Sequence, residues 1–373
     1  MTDIENKKKA RVFAFYLPQF HPIPENNEWW GKGFTEWTNV GKAKPLFRGH
    51  YQPRVPADLG YYDLRLPEVR EQQSEMARYA GIEGFCYYHY WFGNGKRLLE
   101  RPFNEVLKSG KPDFPFCLAW ANESWSGIWH GAPEKILIEQ TYQGVEGYTK
   151  HFYANLDAFL DKRYIKVDEK PIFYIYKPLD IPDSKVFLDS WRELAMKNGL
   201  KGFHFVGHSW DETQAKQVLA LGYDAVNTHW QQSIMKNDYI TRYAWKRLAD
   251  LTIGGKSQLS AWDYREFATK LSKDLDRQED YYPTILSGYD NSPRSGRRGT
   301  IFINYTPEIF DIHVKEVFRK IENKRHETKI AFLKSWNEWG EGNYVEPDLK
   351  FDWGFLDVLK NNLFYAKNDT DKE

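Results

Sequence analysis

The segment KSWNEWGEGNYVEPD (334–348) sets Glu338, Glu341 and Glu346 among two tryptophans, a tyrosine and two glycines, directly after the apolar run IAFL. A solvated charged face needs no tryptophan, and a packed core does not tolerate unpaired acids. Two carboxyl groups near bulky rings have a defined use. One protonates a leaving oxygen while the other acts as base or nucleophile, which is the division of labour in glycosidic bond cleavage. Glu338 and Glu341 are three residues apart, with Gly340 and Gly342 free to make a sharp turn. A turn brings the two carboxyls together, whereas an extended chain spreads them by roughly 10 Å at about 3.3 Å per residue. Aromatic neighbours would desolvate one acid and raise its pKa, as proton donation at neutral pH requires. The competing reading is that both glutamates pair with arginines at a rim.

Asn122-Glu123 and Asn337-Glu338 repeat the same dipeptide at the ends of two different apolar runs. Glu123 is therefore a second candidate partner for Glu338, because carboxyls can also face each other across a cleft. The candidate catalytic residues are Glu338, Glu341 and Glu123. Polar and aromatic residues at similar run ends are the candidate substrate contacts: His21, His89, Trp91, Asn122, Trp125, His208, His229, Asp290, Arg294, Asn337 and Trp339. Arginine forks suit phosphate or carboxylate, so Arg294, in YDNSPRSGRRG, reads either as a site for an anionic substrate group or as the partner of Asp290 or a catalytic glutamate. His204, His208 and His229 do not make a metal set on their own. The expectation is hydrogen bonding or packing, with no metal and no cofactor. No glycine-rich nucleotide fingerprint follows the first apolar run.

Positioning these residues requires a frame, and the chain supplies one. Apolar runs recur at 11–17, 84–92, 115–122, 171–177, 202–208, 223–229, 283–290 and 329–339. Most are near-continuous, as parallel strands covered on both faces should be. Helical periodicity lies between them, as in LPEVREQQSEMARYAG (66–81) and SKVFLDSWRELAMKNG (184–199), the latter with a serine cap candidate and a terminal glycine. Eight strands alternating with helices predict an α/β fold, a (β/α)8 TIM barrel whose chemistry sits at the C-terminal strand ends. Long loops after strands 1 and 6 (22–63 and 230–282) are expected to wall the mouth. The expected organisation is a single catalytic domain over 11–365, with disordered tails at 1–10 and 366–373.

Composition narrows the class. Of 373 residues, 41% are hydrophobic and 28% charged, which supports a sizeable core. Lys+Arg and Asp+Glu balance at 52 each, so bulk charge recommends neither nucleic acid nor a membrane surface. Aromatics reach 17%, including 15 Trp, a large reserve for both core packing and stacking on sugar faces. Cys86 and Cys117 lie inside apolar runs and read as core thiols. The start, MTDIENKKKARVFAFYLPQF, has no secretory apolar stretch and no membrane span, so the expected location is cytoplasmic and no membrane insertion is expected.

The segments FYLPQFHPIPENNEWWGKGFTEW, CYYHYWF, LAWANESW, YDNSPR and WNEWGEGNYVEP together resemble the WbsX-type proteins of bacterial surface-polysaccharide loci. That group is related to glycoside hydrolase family ninety-nine, the endo-acting α-mannosidases. The resemblance implies a carbohydrate-active enzyme on an oligosaccharide or polysaccharide, with a lipid- or phosphate-linked substrate among the possibilities. It implies an endo-acting retaining hydrolase of α-linked glycans or, alternatively, a glycosyltransferase or transglycosylase in lipopolysaccharide, O-antigen or capsule assembly. It also implies roles: Glu338 as the base on the substrate's 2-hydroxyl and Glu341 as the acid. Gly340 departs from the hydrolases, which carry histidine or a similar residue there.

Overall fold

A computed structural model of the chain describes residues 8–127, 132–236 and 260–365. Eight strands lie at the expected runs: β1 (Arg11–Tyr16), β2 (Gly84–Trp91), β3 (Phe116–Trp120), β4 (Lys170–Ile175), β5 (His204–Ser209), β6 (Ala225–Thr228), β7 (Tyr281–Leu286) and β8 (Ile330–Lys334). Each pairs in parallel with its chain neighbours, and β1 pairs with both β2 and β8. The sheet therefore closes on itself as a (β/α)8 barrel. Registers such as Phe13↔Phe332 and Cys86↔Cys117 place large residues of adjacent strands side by side.

The barrel interior is aromatic. Phe15 stacks on Tyr88 and on Phe332, and Tyr174 packs edge-on against Phe15. Rings replace the branched aliphatics that usually fill such barrels, which accounts for much of the aromatic content. Helices cover the outside, among them α1 (Pro67–Tyr79), α2 (Arg101–Ser109), α3 (Gly144–Tyr153), α4 (Ser184–Lys197), α5 (Glu212–Ala220), α6 (Pro307–Ile321) and α7 (Gly354–Leu363). Proline at the first turn begins α1, α2 and α6, where its missing N–H costs nothing. Asp211 caps α5 by accepting from the Gln214 N–H. Ser184, the expected cap of α4, is instead its first helical residue, and its hydroxyl bonds Tyr223.

Residues 8–10, expected in the N-terminal tail, are held: the Lys9 N–H donates to the Leu363 carbonyl, and Lys8 bridges Phe364. The remainder of that tail and 366–373 lie outside the described residues. Among the described residues, no helix is long and apolar enough to cross a membrane.

The mouth at the C-terminal strand ends is built by insertions. The chain after β1 forms two short helices, Pro24–Trp30 and Glu36–Lys42. An antiparallel ribbon follows β3, pairing Trp125–Gly127 with Ala132–Ile138. The sequence reading anticipated the first insertion but not the ribbon, which has ordinary loop length and no turn signature. Residues 237–259 of the expected loop after strand 6 lie outside the described residues.

Candidate active site

The chain leaves β8 through Ser335–Asn337 and turns at once into a 3₁₀ turn, Trp339–Glu341, flanked by Glu338. In a 3₁₀ turn, residues three apart eclipse, so Glu338 and Glu341 share one face. The turn is fixed from several sides. The Glu341 N–H donates to the Glu338 carbonyl, the Asp290 N–H to the Glu341 carbonyl, and the Glu338 N–H to Ser335 Oγ at 2.8 Å. Gly342 ends it with φ 64°, and a Cβ there would overlap the Arg54 guanidinium. Both conditions demand glycine.

The two carboxyls face a cleft of about 380 Å³ at the barrel mouth. Gln19, Trp30, Phe34, Glu36 and Asn39 line it from the first insertion, Glu123 and Trp125 from the segment after β3, and Tyr88, Tyr90 and Tyr176 from the barrel. Arg294 and Lys334 complete the wall beside the carboxyl pair.

The acids differ in surroundings. Arg294 Nη1 donates to Glu341 Oε1 at 2.7 Å, Asn343 Nδ2 to Glu341 Oε2 at 3.4 Å, and Lys334 Nζ lies 3.8 Å from Oε2. Burial pushes the Glu341 carboxyl up, but Lys334 and Arg294 outweigh it, and the net direction is below the usual range. Glu338 is 6% exposed, and its Oε2 has no hydrogen-bond partner, with Arg294 Nη2 at 3.5 Å. Burial, then the charge of Glu341, pushes Glu338 up to about 8. The surroundings thus favour a proton on Glu338 over one on Glu341. Glu123 stands apart, its side chain 48% exposed to the cleft with Lys177 Nζ at 3.9 Å. The cleft walls still raise its pKa, against the pull of Lys177 and Lys334.

Of the residues expected at the site, Glu338, Glu341, Glu123, Trp125 and Arg294 line this cleft. The others lie elsewhere, for reasons of packing. Trp339 is fully buried, stacked 3.6 Å from Tyr344, its indole N–H donated to Glu346 Oε2. Trp91 stacks on His151, and His89 bonds the same ring at 2.8 Å, so both belong to the core behind β2 and α3. Asn337 stitches β8 to the end of β1, accepting from the Leu17 N–H and donating to its carbonyl. Asn122 does the same work for Lys177, bonding its N–H and carbonyl. Asp290 is fully buried and accepts from His50, Gln52 and the Ser292 N–H, which, with Arg54, hold it at about 2 despite its burial. His21 bonds the Pro18 carbonyl, His208 Nδ1 the Tyr174 hydroxyl, and His229 Nε2 pairs with Gln231; all three are buried. Glu346, the third acid of the opening segment, is a structural acceptor for Tyr62, Gln73 and Trp339.

Arg294 is committed to carboxylates: besides Glu341 and Glu338, its Nε donates to Glu36 Oε1 at 2.8 Å. This is the rim-arginine alternative combined with a cleft, and it removes the geometric argument for Arg294 as an anion site. The sequence reading missed Glu36, Lys334 and the tyrosines Tyr88, Tyr90 and Tyr176. Glu36 directly precedes Trp37 within the FTEW segment. Its acid-beside-aromatic pattern was the available signal.

The closed parallel sheet, with a buried acid pair and a ring-walled cleft at the C-terminal ends of its strands, defines the class as a TIM barrel. The family profile described as Glycosyltransferase WbsX matches residues 12–359, and the chain belongs to that family. Protein WxcX of Xanthomonas campestris pv. campestris (strain B100) is 35% identical over 359 residues, 96% of this chain. The chain spans about half the length of the curated relatives it matches. Among solved structures, a glycoside hydrolase-like protein aligns with a TM-score of 0.60 at 16% identity, covering 97% of this chain and 96% of that one. The GH99 endo-α-mannosidase from Bacteroides thetaiotaomicron, in complex with BIS-TRIS-propane, aligns with a TM-score of 0.57 at 15% identity, covering 94% of each. At these identities the likeness concerns the fold.

Proposed function

We propose that the chain is an endo-acting, retaining glycosidase of an α-linked bacterial polysaccharide or lipid-linked oligosaccharide, with Glu338 and Glu341 as its catalytic carboxyls. One observation carries this reading: two adjacent buried acids, one paired with Arg294 and Lys334 and the other with an unpartnered oxygen, open into a ring-walled cleft. Such a pair is poised for acid and base work at neutral pH.

The charge distribution supports a step sequence. Ionised Glu341 takes the proton of the sugar's 2-hydroxyl, whose oxygen attacks the anomeric carbon. Glu338 gives its proton to the departing glycosidic oxygen. Water then adds to the anomeric carbon, yielding a proton to ionised Glu338, while Glu341 returns its proton to the 2-oxygen. Two displacements at one carbon leave its configuration retained. These roles are the reverse of those the resemblance implies, because Glu338 is the more buried acid and the less closely paired with Arg294 and Lys334. Trp125 and Tyr90 meet edge-on at 5.0 Å between centroids and offer faces for sugar stacking.

The family's name favours a second reading, transfer of a sugar from an activated donor. Incubation with a defined α-linked glycan, with and without nucleotide-sugar or lipid-linked donors, separates the two. Reducing ends released without donor support the hydrolase; lengthening only with donor rejects it in favour of the transferase.

A further inference from the structure

The EWGE turn leaves a gap where Gly340 has no side chain, and the structure fills it with charge. A Cβ built on Gly340 would fall on the Glu36 carboxylate, with Arg294 Nε 3.0 Å away. Glu36 is 1% exposed, and its other polar contact is Asn39 Nδ2 at 3.4 Å. Three nitrogens of Arg294 thus meet three different carboxyls: Nε meets Glu36 at 2.8 Å, Nη1 meets Glu341 at 2.7 Å and Nη2 meets Glu338 at 3.5 Å.

We propose that Glu36 and Arg294 form a positioning device. Glu36 anchors the guanidinium through Nε, so that its outer nitrogens span Glu341 and Glu338 and keep a single proton shared between them. The inference rests on the carboxyl pair being the working site; neither Glu36 nor Arg294 need touch the sugar.

Charge counting carries the argument. Among the described residues, Arg294 and Lys334 are the two cations in contact with Glu36, Glu338 and Glu341, so two positive charges there meet three acids. A buried acid in excess of its cations takes a proton. Glu338, with the longest contact and an unpartnered oxygen, is the one that does. Remove the charge of Glu36 and the cations match the remaining acids, so Glu338 can ionise. The other groups facing the pair are Glu123 after β3, Lys177 after β4, and the tyrosines Tyr88, Tyr90, Tyr176 and Tyr289. The tyrosines are all held neutral by burial, and Lys177 pairs with Glu123 across the cleft. Glu36 is therefore the acid in excess of the local cations, and its charge adds to burial and to Glu341 in raising Glu338.

The test titrates the carboxyls themselves and needs no turnover. In protein carrying ¹³C-labelled glutamate side chains, E338Q and E341Q assign the pair by NMR. The expected result is that E36Q, which keeps the hydrogen bond from Arg294, moves the Glu338 titration down by about one pH unit or more. R294K, which keeps charge but loses the fork, should move the Glu341 titration up. Unchanged titrations in folded E36Q protein would overturn the proposal, as would equal changes in Glu123. Should E36Q fold poorly, G340A, which displaces the same carboxylate from the other side, must produce the same downward movement of Glu338. If the titrations move as expected but no glycan is cleaved, the glycosidase reading falls while the device stands.

Discussion

Glu338 and Glu341 differ by one contact set, and that difference governs the pH behaviour expected of the site. On the proposed reading the singly protonated pair is the active form, so kcat/KM should fall on the basic side as Glu338 loses its proton near 8, and on the acidic side only below the usual carboxylate range. A pH profile from 5 to 10 should therefore show the basic limb alone; a rate still rising above pH 9 would contradict the assignment. Trp125 and Trp339 make the complementary comparison. Trp125→Ala should raise KM about five- to tenfold with little change in melting temperature, since the ring borders the cleft. Trp339→Ala should instead cost about 3–5 kcal/mol of stability, because it empties a fully buried ring site, and denaturant titration measures it. The sequence put both tryptophans in the cleft because each adjoins a polar strand end. It could not show that the Trp339 N–H has a buried acceptor in Glu346, seven residues on, which turns the ring inward.

At the scale of elements, the site depends on β8 being locked to β1 where the barrel closes. Asn337 supplies the lock, bonding both backbone groups of Leu17 and the Tyr62 hydroxyl. Asn337→Ala would leave a buried N–H and a carbonyl unpaired, an expected loss of about 2–3 kcal/mol in urea unfolding, with turnover falling as Glu338 shifts. The strands were legible because apolar runs covered on both faces leave a strong signal. The helices were legible through their periodicity. The ribbon after β3 was not: its register shifts between Trp125 and Gly127 and it pairs only with itself, so no hydrophobic pattern marks it. Asp290, Asn122 and His89 misled for a related reason. A strand end carries polar groups whether they serve substrate or fasten the next loop, and only the three-dimensional partners distinguish the two.

Across the whole molecule, the barrel holds acids that burial keeps partly protonated, and this gives its stability a sign with pH. Glu338 at about 8 and Glu346 at about 7 are raised above their ordinary 4.5, mainly by burial. Between roughly 4.5 and 8 these two acids therefore hold more protons in the native state than in the unfolded chain, whereas His89, His151, His204, His208, His229 and His313, all lowered by burial, hold fewer below their ordinary 6.5. The contribution of the acids is complete below the unfolded value and is lost as pH rises through the folded one. Above pH 7, where the histidines are neutral in both states, the urea midpoint should fall with rising pH, and E338Q should flatten that fall by about 1 kcal/mol per pH unit. A stability that rises from pH 7 to 8, or an unchanged slope there in E338Q, would count against a protonated Glu338. The resemblance visible in the sequence reached the family and the acid pair, but not Glu36, which lies some 300 residues away and joins the site only once the barrel closes.

The most direct measurement is reducing-end release from a defined α-linked bacterial glycan, without added donor, by the native chain and by E338Q, E341Q and E123Q. Turnover should be present in the native chain, lower by about 10³-fold in both E338Q and E341Q, and lower by no more than about tenfold in E123Q. Near-native turnover in E341Q, or a deeper loss in E123Q than in E341Q, would contradict the account.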